Sequence, residues 1–191
     1  MIQVRLKVSF YIFEKKTIKN LEFGEIKNGN NIKDKSSNEL TQSEMHEVKN
    51  IIEKALDKLY TEDLFLISAS VNERSIAFRL GLYIEQLKNE NTVFKNYHLD
   101  SKYNKNKDKF KKTPAKPNGA IPDLILHKRG NNWNNLMIIE IKRPNNYRGR
   151  NQDIQKLIDF TNKQGNYKYE IGIFIILGHT RERVKLNYYI N

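Results

Sequence analysis

The sequence of 191 residues contains no cysteine, only four prolines and a single tryptophan. The absence of cysteine excludes disulfide bonds, a thiolate nucleophile and a zinc ion held by thiolates. No apolar run approaches the roughly 18 residues that a membrane-spanning helix requires. Arg5 and Lys7 interrupt the N-terminal apolar stretch, which also lacks a small-residue cleavage site, and this argues against a signal peptide. We therefore expect a cytoplasmic protein that does not associate with a membrane.

Acidic residues are in deficit, with 22 Asp and Glu against 34 Lys and Arg and a formal net charge of +12. Such an excess of positive charge favours a polyanionic partner, above all nucleic acid. Lysine greatly outnumbers arginine and asparagine is frequent, a composition that AT-rich coding also produces without selection for binding. Charge alone leaves nucleic-acid binding and a merely solvated basic surface equally open.

The hydrophobic fraction of 38% is low, but the apolar residues are clustered, which predicts one folded core with long polar loops. We expect a single domain over residues 1–191, made of an N-terminal extension over 1–70 and a core over 71–180. Within the extension, strands are predicted over 2–13 and 18–26, and the polar stretch 27–40 is expected to be a loop.

Helical signals occur in three segments. Thr41-Gln42-Ser43-Glu44 is a capping box that predicts a helix to about residue 60. Asn72 can cap a second helix over 73–88, and a third is predicted over 151–164. The apolar residues 64–67 predict a short strand or a turn.

Extended segments follow the second helix and alternate with the third. Predicted strands cover 97–103, 121–127, 136–143, 171–177 and 183–190, with 121–127 and 136–143 forming an antiparallel hairpin. Between the first two lies a basic, irregular and mobile segment, 104–119, which includes Lys111 and Lys112. It is either a solvated loop or a flap that grips phosphates, and we favour the flap because it leads directly into Asp123.

A spaced acidic pair that ends in lysine is the most informative feature of the chain. Pro122-Asp123 begins one predicted strand, and Glu140-Ile141-Lys142 ends the next. Because side chains alternate along a strand, Glu140 and Lys142 should share one face while Ile141 points to the other. Two carboxylates at a sheet edge suit Mg2+, with Mn2+ as a substitute, and the backbone carbonyl of Ile141 offers a third ligand. Such a site, with a positioned water, is suited to phosphodiester hydrolysis.

Two further residues near this pair have open roles. Lys142 would orient the attacking water, neutralise developing charge or, with a depressed pKa beside the metal, act as a base; the sequence does not choose. Glu73 lies on the buried side of the first turn of its helix. There its carboxylate either takes part in the site or interacts favourably with the helix dipole.

The ordered set Glu73, Pro122-Asp123, Glu140 and Lys142 resembles the pattern of the PD-(D/E)xK nuclease superfamily, over about residues 72–177. The resemblance implies a restriction-endonuclease-like α/β core, in which a mixed sheet of four to five strands is flanked by helices. It also implies magnesium-dependent cleavage of nucleic acid, with catalytic roles at Asp123, Glu140, Lys142 and Glu73.

Other candidate residues follow the acidic pair. Asp153 and Lys156 share a face of the predicted third helix. In many members of the superfamily polar residues of that helix approach the site, which implies a supporting role for Asp153 and phosphate binding for Lys156; the alternative is a surface ion pair. Arg143, Arg148 and Arg150 are candidate backbone contacts, because guanidinium groups match phosphate oxygens. Such contacts position nucleic acid without reading its sequence.

Three hypotheses follow. The first is a metal-dependent nuclease acting on nucleic acid, most of all DNA. The second is an inactive or accessory nucleic-acid-binding module of the same fold, working as a homodimer or within a larger complex. The third is an unrelated interaction protein, for which Asp123, Glu140 and Lys142 would not converge. The choice between DNA and RNA, and the biological pathway, stay open.

Overall fold

The computed structural model describes residues 40–90 and 93–190. The strands predicted over 2–13 and 18–26, and nearly all of the loop predicted over 27–40, lie outside the described residues. Within the described part, no helix is both long and apolar enough to cross a membrane.

Four α-helices and one short 3-10 helix form in the described residues. They are α1 (Gln42–Glu62), α2 (Leu64–Ser68), α3 (Glu73–Glu90), α4 (Arg150–Thr161) and the 3-10 helix Arg181–Arg183. The three long helices agree with the three that the sequence predicts, with ends that differ by a few residues.

Five strands form a mixed sheet and two more form a small hairpin. They are β1 (His98–Ser101), β2 (Lys105–Asn106), β3 (Lys109–Phe110), β4 (Leu124–His127), β5 (Asn135–Lys142), β6 (Ile171–Ile176) and β7 (Lys185–Tyr189). The sheet order is β1-β4-β5-β6-β7, and β2 pairs with β3. Only β5 and β6 are parallel among these neighbours, and the others are antiparallel. The predicted α/β class with a mixed, helix-flanked sheet is confirmed.

Both predicted helix starts carry the expected caps. The Thr41 hydroxyl accepts a hydrogen bond from the Glu44 backbone N–H at 3.1 Å, and the Glu44 carboxylate accepts one from the Thr41 N–H at 2.9 Å. Asn72 Oδ1 likewise accepts from the Ser75 backbone N–H at 3.0 Å at the start of α3. These bonds satisfy N–H groups that a helix leaves unpaired in its first turn.

The prediction of a strand or turn over 64–67 is wrong, because these residues form α2. Its first and last turns close locally, with Leu66 N donating to Asp63 O and Ala69 N to Phe65 O. Ile67 is 3% exposed and anchors the helix in the core. A short apolar run has no periodicity that separates a strand from a helix.

The sheet has one face against α1 and α3 and the other against α4. Met137, Ile139 and Ile141 of β5 pack with α1 and α3, whereas Ile138 packs with Leu157 of α4. A Cβ atom on Gly172 of β6 would lie 3.2 Å from the Leu157 Cβ, so glycine permits α4 to approach closely. The face carrying Glu140 and Lys142 is therefore the one that α4 covers.

The basic segment 104–119 differs from the irregular, mobile loop that the sequence predicts. It contains the β2–β3 hairpin, and it is tied to the chain just before β6. The Tyr167 hydroxyl accepts from Lys112 N at 2.8 Å and donates to Lys112 O at 2.9 Å. The Tyr167 hydroxyl thus satisfies both backbone polar groups of Lys112 from a distant part of the chain.

Tyr60 provides a test of how α1 is fastened to the segment after β6. Its hydroxyl donates to Gly178 O at 2.8 Å and accepts from Gly178 N at 3.0 Å, while the ring is 8% exposed. Tyr60→Phe leaves both buried backbone groups unpaired, and we expect a loss of about 1–3 kcal/mol in the free energy of unfolding. Urea denaturation measures this loss. Tyr147→Phe, at a ring that is 71% exposed, is the control, and equal effects would contradict the assignment.

Candidate active site

The paired strands β4 and β5 bring the two predicted carboxylates together. Leu124 lies opposite Ile139, so the same register places Asp123 beside Glu140. Asp123 Oδ2 accepts a hydrogen bond from the Ile141 backbone N–H at 2.8 Å. Glu140 and Lys142 share the α4 face, as the strand alternation predicts, and Ile141 lies in the core on the other face.

The Ile141 carbonyl faces the same edge of β5 as Asp123. Lys142 O accepts from Leu177 N at 2.8 Å, which directs the Lys142 peptide groups toward the β6 side. Successive residues of a strand present their N–H and C=O groups to opposite edges. The Ile141 N–H and C=O groups therefore both face Asp123, where a metal bound by the carboxylates would lie.

Glu140 carries the most strongly perturbed carboxyl of the site. Its side chain is almost fully enclosed, with a residue exposure of 2%. The pKa of Glu140 is raised to about 8, mainly by burial and further by the negative charges of Asp123 and Asp153, against the opposing effect of Lys156. A cation at this position would relieve both the desolvation and the repulsion.

Lys156 is the protein's own cation beside Glu140. Its Nζ lies 2.8 Å from Glu140 Oε1 and 3.3 Å from Asp153 Oδ1, and it donates to Ile121 O at 3.3 Å. Burial acts to lower the pKa of Lys156, but the two carboxylates raise it above its usual value. The family resemblance implies a phosphate-binding role for Lys156. In the structure this lysine is only 6% exposed, and its ammonium is paired with Glu140 and Asp153.

Lys142 joins α3 and α4 at the site. Its Nζ lies 2.7 Å from Asp153 Oδ2 and 3.8 Å from Glu73 Oε2. Burial acts to lower the pKa of Lys142, but the Asp153 hydrogen bond and the surrounding carboxylates raise it overall. These contacts hold Lys142 as a charged donor between the carboxylates of Asp153 and Glu73.

Glu73 is held at the site by two donors from the segment after β5. Its Oε1 accepts from the Arg143 backbone N–H at 3.1 Å and from Asn146 Nδ2 at 2.6 Å. The residue begins α3, where a carboxylate also benefits from the helix dipole. Glu73 can therefore take part in the site and interact with the helix dipole from the same position.

Lys102 and Asn146 are site residues that the sequence reasoning missed. Lys102 follows β1 with a φ of 53°, and its ammonium forms an ion pair with Asp123 Oδ1. Its backbone N–H also donates to Asp123 O at 3.1 Å. The pairing of β1 with β4 puts Lys102 opposite Asp123, but that register is not visible in the sequence.

A solvent-open cleft of about 480 Å³ gives access to this cluster. Its lining residues are Asn72, Glu73, Arg74, Lys102, Asp123 and Arg143. The cleft thus contains two of the predicted catalytic residues together with one of the predicted phosphate contacts.

The remaining predicted phosphate contacts fall into two groups. Arg148 and Lys112 are exposed, and Arg150 is half-buried with Nε donating to Asn146 O at 2.7 Å. Lys111 is only 3% exposed, with Nζ 4.3 Å from the centre of the Tyr103 ring. Burial lowers the pKa of Lys111 to about 8. Its ammonium faces an aromatic ring rather than solvent.

The residues present suit a magnesium ion better than a metal that needs many protein ligands. Within the described part of the chain, no three acidic or histidine side chains form a metal-holding group. Mg2+ keeps several waters and needs only one or two carboxylates. Asp123 and Glu140, with the Ile141 carbonyl, would hold it, and its charge would favour the ionised form of Glu140, whose pKa is raised mainly by burial.

No family model, curated protein or solved structure matches this chain. The functional assignment therefore depends on the chemistry of the site. That chemistry is a buried carboxylate pair, a fixed ammonium group and an open cleft beside basic residues.

Lys102 allows a direct test of the cation site. Its ammonium occupies Asp123 Oδ1, so a bound divalent ion has to displace it. We expect Lys102→Met to raise the affinity for Mn2+ several-fold, because a competing cation is removed. Isothermal titration calorimetry of the purified protein measures this affinity. Lys54→Met, at an exposed position of α1, is the matched control, and an unchanged affinity in Lys102→Met would oppose this view of the site.

Proposed function

We propose that the protein is a magnesium-dependent nuclease of the PD-(D/E)xK type, acting on nucleic acid and most of all on DNA. One observation carries the proposal: Glu73, Asp123, Glu140 and Lys142 come from α3 and from two paired strands to one cluster. The hypothesis of an unrelated interaction protein expects no such convergence. The restriction-endonuclease-like identity of the fold is part of the same proposal.

The carboxylates would bind the metal and thereby place the scissile phosphate. Bound Mg2+ would stabilise negative charge on that phosphate and lower the pKa of the attacking water. Asp123 is oriented by the Ile141 N–H, and Glu140 is oriented by Lys156. Groups that are fixed before the reaction begins lose no free energy to reorganisation in the transition state.

Lys142 would act as a charged donor. Its ammonium is held between Asp153 and Glu73, and its pKa lies above the usual value. Such a group can hydrogen-bond the attacking water or the phosphate oxygens, and it offsets developing negative charge. Of the roles that the sequence leaves open, these two agree best with the contacts that hold the ammonium.

The substrate assignment rests on the basic surface, which we define by Arg143, Arg148 and Lys112, and on the positive net charge. Arg143 lines the cleft itself, and Arg148 and Lys112 are exposed. The chain as a whole has a net charge of +12. These groups would bind phosphates in any sequence, which suits a nuclease that recognises structure or depends on a partner for targeting.

A second candidate is a nucleic-acid-binding module of the same fold without turnover. Two lysines favour it, because Lys102 and Lys156 each pair with one of the two carboxylates. If the lysines were not displaced, the carboxylates would hold no metal and the basic surface would still bind nucleic acid.

Cleavage assays distinguish the two candidates. Duplex and single-stranded DNA and RNA are incubated with the protein in Mg2+, Mn2+ or EDTA. We expect metal-dependent cleavage, and a fall of about 10²–10³-fold or more in Asp123→Asn and Lys142→Met, as when one transition-state contact is removed. Asp108→Asn and Lys54→Met, both at exposed positions, are the matched controls.

The outcomes of these assays have distinct meanings. Equal cleavage by the parent protein and both site variants would indicate a contaminating enzyme and would rule out the proposal. Binding of nucleic acid with no cleavage in any metal would favour the module without turnover.

Arg148 tests the basic surface. If its guanidinium neutralises one phosphate, Arg148→Ala weakens binding to all sequences alike and reduces the slope of log K against log salt by about 1. Fluorescence anisotropy with labelled DNA in EDTA at several salt concentrations measures this slope. Arg129→Ala is the control, because that guanidinium is paired with Asp100; a sequence-dependent loss in Arg148→Ala would contradict a purely phosphate contact.

A further inference from the structure

A second pocket of about 310 Å³ lies next to the carboxylate cleft and shares Arg143 with it. Its polar lining consists of Ser70, Arg143, Asn145, Asn146 and His179, and Ile67 and Pro144 contribute apolar surface. The pocket lies at the small end of the range of about 300–1,000 Å³ for small-molecule sites. This size suits a single nucleotide unit.

The pocket differs from the cleft in having no carboxylate among its described lining residues, whereas a guanidinium, an imidazole and two side-chain amides are present. The cleft combines the carboxylates of Glu73 and Asp123 with basic side chains. An anion in the pocket would therefore meet hydrogen-bond donors without a lining carboxylate to repel it, and Arg143 lines both sites.

Arg143 is held in place by hydrogen bonds that use only some of its donors. Its NH1 group donates to Ser70 O at 2.6 Å, and its backbone N–H donates to Glu73. In the described part of the chain its Nε is buried and has no hydrogen-bond partner. Because Nε is enclosed, an anion in the pocket would meet the terminal nitrogens of the guanidinium, whose geometry matches phosphate oxygens.

The other polar groups are held by an unusual backbone. Asn145 has a φ of 61°, in the left-handed region, and its amide nitrogen lies 3.3 Å from His179 Nε2. Ser70, which accepts the Arg143 bond, has a φ of 53°. Non-glycine residues in this region are uncommon and concentrate at functional sites.

We infer that this pocket binds the phosphate of a nucleotide that flanks the scissile bond, with Arg143 and His179 facing the phosphate and Ile67 and Pro144 beside the sugar. The inference rests on the proposed nuclease function for its substrate class. The pocket would hold the nucleic-acid strand next to the carboxylate cleft, because Arg143 lines both. The same chemistry accepts a terminal phosphate monoester or a phosphate within the chain.

The test is binding in EDTA, where no metal-dependent turnover occurs. The probes are thymidine 5′-monophosphate, thymidine and inorganic phosphate, and the readouts are the shifts of the histidine ring resonances and of the backbone amide resonances of the pocket residues in NMR spectra of the full chain. We expect the monophosphate to shift the His179 signals and to bind more tightly than inorganic phosphate, with no shift for thymidine. A pair of short oligonucleotides, with and without a 5′-phosphate, separates the terminal from the internal phosphate.

Variants locate the binding site. We expect His179→Ala and Asn145→Gly to weaken monophosphate binding by about tenfold, the usual weight of a hydrogen bond to a charged group. His179 is exposed and glycine tolerates the backbone at 145, so both variants should fold. His98→Ala, at an exposed position of β1, is the matched control.

The outcomes separate this inference from the proposed function. Unchanged monophosphate binding in both pocket variants overturns the inference, even if metal-dependent cleavage is found. Loss of binding in the pocket variants but not in Asp123→Asn supports it, and if cleavage is then absent in every metal, the nuclease proposal fails while the phosphate pocket stands.

Discussion

The alternation of buried charges on the α4 face of the sheet is the constraint on which the site depends. Glu140, Lys156, Asp153, Lys142 and Glu73 form a chain in which each acid contacts a lysine. Glu140 and Lys156 are buried, and such charges are tolerated only when they are paired, so removing one leaves its partner uncompensated. Through the partly buried Asp153, Lys142 and Glu73, the same ion pairs link α3, β5 and α4 at the site.

Local patterns made much of this arrangement predictable. The alternation in β5 was sufficient to place Glu140 and Lys142 on one face, and the capping signals were sufficient to start α1 and α3. In each case the decisive contact lies within a few residues along the chain. The α/β class followed because long helices and strands alternate in a recognisable order.

The parts of the site that could not be predicted depend on contacts between distant segments. Lys102 reaches Asp123 only because β1 pairs with β4 in one register and the chain then turns through a left-handed residue. Asn146 reaches Glu73 across more than seventy positions. Lys111 looks like a surface lysine in the sequence, but the Tyr167 bonds to its neighbour Lys112 hold the segment against the sheet.

Tyr60 has a consequence beyond the stability of α1. The Tyr60 hydroxyl bonds both backbone polar groups of Gly178. Gly178 immediately precedes His179, which lines the pocket next to Arg143. Arg181 in the same segment is also bonded to Asp57 of α1, at 2.7 Å. Helix α1 thus supports a pocket to which none of its own residues contributes, and substitutions on its inner side would alter the position of His179 without touching the pocket.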